Sequence, residues 1–359
     1  MSDLNKWTNG IHTGDARDTL AEIPDSSVHM VMTSPPYFGL RDYGVDGQIG
    51  LEESLDEYIG ELVGVFREVR RVLRPDGSAW LNLGDSYVTQ PAGNAGEPSD
   101  SLNGDYQSYA NKDTNDKTKR TSLARKNKML VPHRVAIALQ KDGWIVRNDV
   151  TWVKPNPMPS SVKDRLNTTT EQVFHLVPEP DYWYDLDAIR EPHADASVER
   201  MKHGNNGSGD SSDLYGHNES DGVNAPSDSR EHLYNPAGKN PGDVFKVTTK
   251  PFPEAHFAVY PPELVETPLK ATCPPKVCAE CGSPSDCNCD TDAAEPGIAL
   301  DPFAGAGTTC LVAKEHGRRF IGIDLNEKYV AMAQKRLGLT VDKPEHVRDD
   351  ADAGLEDFA

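Results

Sequence analysis

Residues Thr33-Ser34-Pro35-Pro36-Tyr37 set two hydroxyls, two prolines and an aromatic ring in succession at the end of the apolar run Val28 to Met32. The prolines fix the backbone and have no amide hydrogen, so nearby carbonyls stay outside regular helix or sheet bonding. Carbonyl and hydroxyl acceptors of this kind suit chemistry on a planar amine. Such an amine is a poor nucleophile because its lone pair is delocalised into the ring. Acceptors set against its two hydrogens favour the pyramidal form, whose lone pair can attack an electrophilic methyl group. Here the Pro35 carbonyl and the Ser34 hydroxyl are the acceptors, and Tyr37 offers a face on which a base turned out of a duplex can stack. Ser34, Pro35, Pro36 and Tyr37 form the candidate catalytic turn, although alone the run is equally a proline turn with a buried tyrosine.

A second cluster lies near the other end. Ile298-Ala299-Leu300 reads as a short buried strand, Asp301-Pro302-Phe303-Ala304-Gly305-Ala306-Gly307 as a glycine-rich turn, and Thr308 to His316 as a helix. The next strand, Phe320 to Ile323, ends at Asp324. This is the nucleoside-binding pattern: backbone approaches the ligand at Gly305 and Gly307, Thr308 opens the helix, and an acid at the next strand tip accepts the ribose hydroxyls. The turn lacks the third glycine of the dinucleotide fingerprint. A carboxylate at Asp301 would repel a pyrophosphate and attract an ammonium, which points to S-adenosylmethionine, carrying adenosine, an amine and a sulfonium.

The third cluster is Cys278-x2-Cys281-x5-Cys287-x-Cys289, four thiols spaced for one tetrahedral zinc ion. Four ligands fill the coordination sphere, so the expected metal is structural. A loop of free thiols is the alternative, and Cys273 could replace one ligand. Cys310, in the helix after the glycine turn, reads as a core residue.

The elements that must position these clusters follow from periodicity. Residues 8 to 37 read as strand, helix and strand. Residues 52 to 73 carry apolar side chains at helical spacing, and Pro75-Asp76-Gly77 stops the pattern before a strand at Ala79 to Leu83. A helix over Val131 to Gln140 precedes a strand over Trp144 to Val153, with another strand at Glu171 to Val177 and a helix at Glu327 to Leu337. Residues 91 to 128 and 193 to 242 break the rhythm with Asn, Gly, Ser, Asp and Lys, as insertions do. The first ends in Lys117, Lys119, Arg120, Arg125, Lys126 and Lys128 with no acid among them, a candidate phosphate contact or a solvated loop.

The formal net charge of -20 argues against a polyanionic partner, since phosphate contact dominates non-specific affinity. A salt-loving (halophilic) host, whose ionic strength screens repulsion, together with a local basic patch would reconcile the two. No apolar run approaches the ~20 residues of a membrane span, and the start MSDLNKW lacks a basic segment before an apolar stretch, so no membrane association and a cytoplasmic location are expected.

TSPPY at 33 to 37 and DPFAGAGTT at 301 to 309 resemble the catalytic and cofactor motifs of the DNA amino-methyltransferases that act on cytosine N4 or adenine N6. Their order resembles the permuted beta subgroup. GDARDTL (14 to 20), LRPDGSAWLNLGD (73 to 85), WVKPNPMPSS (152 to 161) and HFAVYPPELVETPLKATCP (256 to 274) are similar to other family segments. The resemblance implies Asp15 beside the cofactor adenine, Asp301 and Phe303 beside its methionine portion, Asp324 on its ribose, and Pro261 and Leu264 closing the methionine pocket. Family members acting on adenine more often carry Asp or Asn where this chain has Ser34, which points to cytosine N4, with adenine N6 the runner-up. Attack at cytosine C5 needs a cysteine nucleophile, and none of the six cysteines follows a proline as that enzyme class requires.

The reading is therefore an α/β fold, a mostly parallel Rossmann-like methyltransferase sheet with helices on both faces, inserted DNA-recognition segments and a small zinc knuckle. Residues 1–90 form the catalytic half, 91–128 a polar basic insertion, 129–192 the continuation of the core and 193–250 a target-recognition region. Then come the cofactor-pocket segment 251–272, the cysteine knuckle 273–292, the S-adenosylmethionine half 293–340 and an acidic tail 341–359. The expected partner is double-stranded DNA, with a restriction endonuclease and a homodimer as further candidates. Rival readings are a non-catalytic zinc-bearing DNA-binding subunit and a methyltransferase of RNA or protein glutamine.

Overall fold

The computed structural model describes residues 2–88, 120–196, 198, 235–250, 259–285 and 287–339. Most of the two expected insertions, residues 251–258 of the expected cofactor-pocket segment and the acidic tail lie outside these residues.

In chain order the elements are α1 (Ser2–Asn5), β1 (Gly10–Thr13), α2 (Ala16–Ala21), β2 (Val28–Thr33), α3 (Leu55–Val72), β3 (Leu73–Leu83), α4 (Val131–Lys141), β4 (Ile145–Val153), β5 (Thr170–Val177), β6 (Val244–Lys246), α5 (Pro262–Thr272), β7 (Val277–Cys278), β8 (Ala294–Glu295), β9 (Ile298–Asp301), α6 (Thr308–Glu315), β10 (Arg319–Asp324) and α7 (Glu327–Leu337). Eight strands form one sheet in the order β1-β10-β9-β2-β3-β5-β4-β6. Its first five strands are parallel to one another, β5 runs against β3 and β4, and β6 is parallel to β4. This is the mostly parallel α/β sheet expected.

Both faces are covered, which explains why the central strands read as continuous apolar runs. Leu20 of α2, Tyr58, Leu62, Phe66 and Val69 of α3 and Val135 and Leu139 of α4 pack on one face with Val31, Leu81 and Leu300. Leu264, Val265 and Leu269 of α5, Cys310 and Val312 of α6 and Val330 and Ala333 of α7 pack on the other with Met30, Met32 and Trp80. Helix α3 starts where Ser54 and Glu57 cap each other: the Ser54 hydroxyl accepts from Glu57 N, and Ser54 N donates to the Glu57 carboxylate.

Two local differences from the sequence reading have physical causes. Strand β3 begins at Leu73 rather than Ala79; its pairing with β2 jumps from Val28↔Leu73 to Met30↔Ser78, so the Pro75-Asp76-Gly77 turn is absorbed as a bulge. A Cβ at Gly77 would come within 2.8 Å of the His29 carbonyl oxygen, which is why glycine stands there. At the end of the expected recognition region, Val244–Lys246 is an edge strand of the main sheet, which the sequence does not signal.

Candidate active site

The C-terminal ends of β1, β10, β9 and β2 meet at one edge, and β9 and β2 are neighbours from which the chain departs in opposite directions, β9 through α6 to β10 and β2 through α3 to β3. Open α/β sheets form ligand clefts at such a switch point. A cleft lies there, lined by Ser34, Pro35, Pro36 and Tyr37 on one side and by Phe303, Gly305, Thr308 and Asp324 on another. Asp15 and the loop Leu40 to Ile49 complete the wall.

The catalytic turn is held from behind. Tyr58 in α3 donates to the Pro36 carbonyl at 2.9 Å. The Tyr37 hydroxyl donates to Glu171 Oε2 at 2.8 Å and lies 3.3 Å from Asn82 Oδ1, while Ser34 Oγ donates to the Tyr37 oxygen at 3.3 Å. Burial is the main cause that keeps the Tyr37 phenol protonated far above its ordinary range, with the nearby Glu171 charge acting in the same direction. Gly84 fits flush against this ring: a Cβ there would stand 2.5 Å from Tyr37 Cε2.

On the cofactor side, Asp324 at the tip of β10 receives two backbone N–H groups, Gly305 N on Oδ2 and Asn326 N on Oδ1, each at 2.8 Å. Burial raises its carboxyl above the usual range. Gly305 has φ +51° and lines the cleft, so its backbone can approach a ligand. Gly307, φ +73°, lies behind the cleft, where a Cβ would come within 3.0 Å of Ala333; its smallness serves the contact of the turn with α7. The Thr308 hydroxyl, at the first turn of α6, accepts from Arg336 at 2.9 Å. Asp15 caps α2 and is held below the usual carboxylate range chiefly by its side-chain hydrogen bond with Arg17.

Asp301 is placed differently from the expectation. Its carboxylate is fully buried and turned away from the cleft: Oδ1 accepts from Thr33 Oγ1 at 2.7 Å and from Phe303 N at 3.1 Å, and Oδ2 accepts from Tyr260 at 2.8 Å. Burial pushes the carboxyl up to about 6 against those donors. Asp301 thus ties β9 to β2 and to the segment before α5. Pro261 and Leu264 likewise stand outside the cleft lining; Leu264 is fully buried in the core, and Val259 and Tyr260 form that wall.

The four cysteine sulfurs of Cys278, Cys281, Cys287 and Cys289 come together, all within 4.8 Å of one another. The knuckle docks at the opposite edge of the sheet from the cleft. His29 Nδ1 accepts from Ile298 N at 3.1 Å, so its Nε2 carries the proton and donates to the Gly282 carbonyl at 2.9 Å, while Arg74 donates to the Cys281 carbonyl. Cys310 is buried in the core as expected.

Among the described residues of the expected basic patch, Arg120 is buried, stacks over the Phe38 ring at 4.3 Å and donates to the Glu52 carbonyl. It is a structural residue rather than a phosphate contact. Lys126 pairs with Asp164. Lys117 and Lys119 lie outside the described residues. The sequence reading passed over Asn82, Lys154, Glu171 and Tyr260. The available signals were a polar residue inside the apolar run of β3 and an acid at the start of a buried strand.

The family model described as DNA methylase, N6/N4 type, matches residues 28–335, a span containing both sides of the cleft except Asp15. The chain is 37% identical over 326 residues to the type II methyltransferase M.XycI of Xanthomonas campestris pv. cyanopsidis, covering 90% of this chain and 86% of that one. It is 35% identical to the type II methyltransferase M.SmaI of Serratia marcescens, covering 91% and 90%. Among solved structures, the cytosine-N4-specific PvuII DNA methyltransferase superposes with a TM-score of 0.54 at 17% identity over 93% of this chain and 87% of that one. A DNA modification methylase of Thermus thermophilus complexed with S-adenosyl-L-methionine superposes at 0.50 and 22% identity, covering 92% and 93%. With a switch-point cleft that joins a proline-bounded amine turn to a glycine-rich nucleoside turn, the chain belongs to the N6/N4 family of DNA methyltransferases.

Proposed function

We propose that the protein transfers a methyl group from S-adenosylmethionine to the N4 amine of cytosine at a specific site in double-stranded DNA. One observation carries this reading: the catalytic turn Ser34–Tyr37 and the nucleoside side formed by Phe303, Gly305 and Asp324 line the same cleft. When bound, S-adenosylmethionine supplies a methyl group on a positively charged sulfur. Asp324 receives the ribose hydroxyls, Asp15 and the loop Leu40 to Ile49 border the adenine, and Phe303 flanks the methionine portion. Tyr37 stacks on the base extruded from the duplex, and the Pro35 carbonyl and Ser34 oxygen accept its two amine hydrogens. The preference for cytosine rests on Ser34, a neutral acceptor where an aspartate would bring a full charge.

Lys163 and Arg165 lie on the loop between β4 and β5, which leaves the sheet at the cleft edge and carries the exposed apolar residues Met158 and Leu166. This loop is the proposed duplex contact in an otherwise acidic chain. Site-specific modification paired with a restriction endonuclease is the expected setting, as for proteins named type II methyltransferases.

The four clustered cysteines fit a structural zinc ion. A tetrahedron with zinc–sulfur bonds of about 2.3 Å needs sulfurs about 3.8 Å apart, a contraction of about an ångström from the longest separation here. The ion would brace the knuckle against His29 and Arg74, away from the reacting base.

Transfer of tritium from methyl-labelled S-adenosylmethionine to unmodified duplex DNA, at salt from about 0.1 M to about 2 M, tests the reading. Label that depends on Tyr37 and persists at high salt supports it. No label in duplex DNA at any salt would reject the proposed activity.

A further inference from the structure

The polar groups behind the catalytic turn have a fixed polarity. Glu171, as a carboxylate, only accepts hydrogen bonds. Its Oε1 is paired with Lys154 Nζ, and its Oε2 receives the Tyr37 hydroxyl at 2.8 Å and Asn82 Nδ2 at 3.3 Å. Tyr37 must therefore point its single proton at Glu171, which leaves the phenolic oxygen to accept from Ser34 at 3.3 Å. Ser34 in turn has its proton directed away from the cleft, with its lone pairs facing it. Tyr37 and Glu171 are 134 residues apart, joined by the β3–β5 pairing, which sets Asn82 opposite Val173 and so within reach of Glu171 two residues away.

We propose that Glu171, anchored by Lys154, is a positioning residue that makes Ser34 an acceptor toward the target amine and draws off the proton that methylation releases. This rests on the amine-methylation reading above. The target nitrogen bonds to the methyl carbon as the methyl–sulfur bond breaks, its electrons remaining on sulfur, and the nitrogen becomes cationic. That nitrogen gives a proton to Ser34 Oγ, Ser34 passes its own proton to Tyr37, and Tyr37 passes its own to Glu171, which ends neutral. Charge and protons balance without another reactant. Lys154, Tyr37 and, through Tyr37, Tyr58 are the titratable groups facing this chain of bonds.

Glu171→Gln tests the polarity with nearly unchanged shape. Lys154 requires an acceptor, so the glutamine oxygen turns to it and the amide nitrogen faces Tyr37; the phenol then divides its proton between Asn82 Oδ1 and Ser34 Oγ, both at 3.3 Å, and Ser34 is no longer held as an acceptor toward the amine. The expected result is a loss in kcat of about 10²-fold or more, with cofactor affinity within about twofold of the parent. Tyr37→Phe, which leaves Glu171 in place, loses kcat to a similar extent, and the double variant is no worse than either single one. A binding measurement accompanies them. With a duplex whose target base lacks the exocyclic amine, the parent loses affinity by roughly 3- to 10-fold, and Glu171→Gln shows no such preference. Full kcat in Glu171→Gln, additive losses in the double variant, or full kcat in Tyr37→Phe should Glu171→Gln fail to fold, each overturns the proposal. Those results with a parent that methylates DNA amines leave the amine-methylation reading intact; a parent that methylates none refutes that reading itself.

Discussion

Replacing Asp324 by alanine separates cofactor recognition from fold. In the structure each carboxylate oxygen already takes one backbone N–H, from Gly305 and Asn326, at 2.8 Å. The remaining lone pairs are those offered to the ribose hydroxyls in the cleft. Two hydrogen bonds to a charged acceptor contribute about 1.5 to 3 kcal/mol each, so Asp324→Ala should cost about 3 to 6 kcal/mol of binding. At about 1.4 kcal/mol per tenfold, Kd for S-adenosylmethionine rises between about a hundredfold and about ten-thousandfold. The fold loses two bonds of the same kind: Gly305 N and Asn326 N each lose an acceptor worth about 1.5 to 3 kcal/mol, and removal of a carboxyl whose ionisation burial disfavours offsets part of that, so Tm falls by several degrees. Titration calorimetry beside a thermal scan reads both quantities. A Kd within about fivefold of the parent, in a variant whose Tm behaves as stated, would refute the ribose assignment.

Metal analysis of protein purified without chelator should find about one zinc per chain, and Cys281→Ser should lower both zinc content and Tm while leaving kcat of the surviving folded protein near the parent, because the knuckle docks opposite the cleft; a metal-free parent rejects the site. Tyr260→Phe removes a buried donor to Asp301 and should destabilise by about 1 to 3 kcal/mol in denaturant unfolding, whereas a change under about 0.5 kcal/mol would show that the Asp301 network does not brace the cleft. Burial lowers His29 to about 4 and His175 to about 3, so both rings should remain neutral at pH 5.5 by NMR. The unfolded chain, with histidine near 6.5, binds those protons first, so this contribution to stability is complete above about pH 6.5 and is lost as pH falls toward 4 and below; charged rings in the folded protein at pH 5.5 would contradict the burial argument.

What could be read in advance follows the range of the forces involved. Helix α7 was legible to the residue because its signals are local: Asn326 caps it, accepting from Lys328 N, and Gly338 ends it in a left-handed conformation. The catalytic turn and the glycine turn were legible as motifs, and the sheet brings both to one cleft. The direction in which Asp301 points was not legible, because it depends on Thr33, 268 residues away, and Tyr260, 41 residues away. Glu171 was missed for the same reason: a strand acid acquires meaning only when β5 pairs with β3 and brings it behind Tyr37. The segment carrying Pro261 and Leu264 divides its work, lining the cleft through Tyr260 and packing in the core through Leu264, a division set by the fold around it. The Pro75-Asp76-Gly77 bulge carries the signals of a stop because turn chemistry looks the same whether a strand ends there or loops out and continues.

The central claim is the identity of the methylated atom, and mass spectrometry of nucleosides from unmodified DNA treated with the protein and S-adenosylmethionine tests it most directly. The account predicts N4-methylcytosine. N6-methyladenine would contradict the argument from Ser34 while leaving the amine mechanism standing, and 5-methylcytosine would contradict the mechanism itself, which places no cysteine at the base.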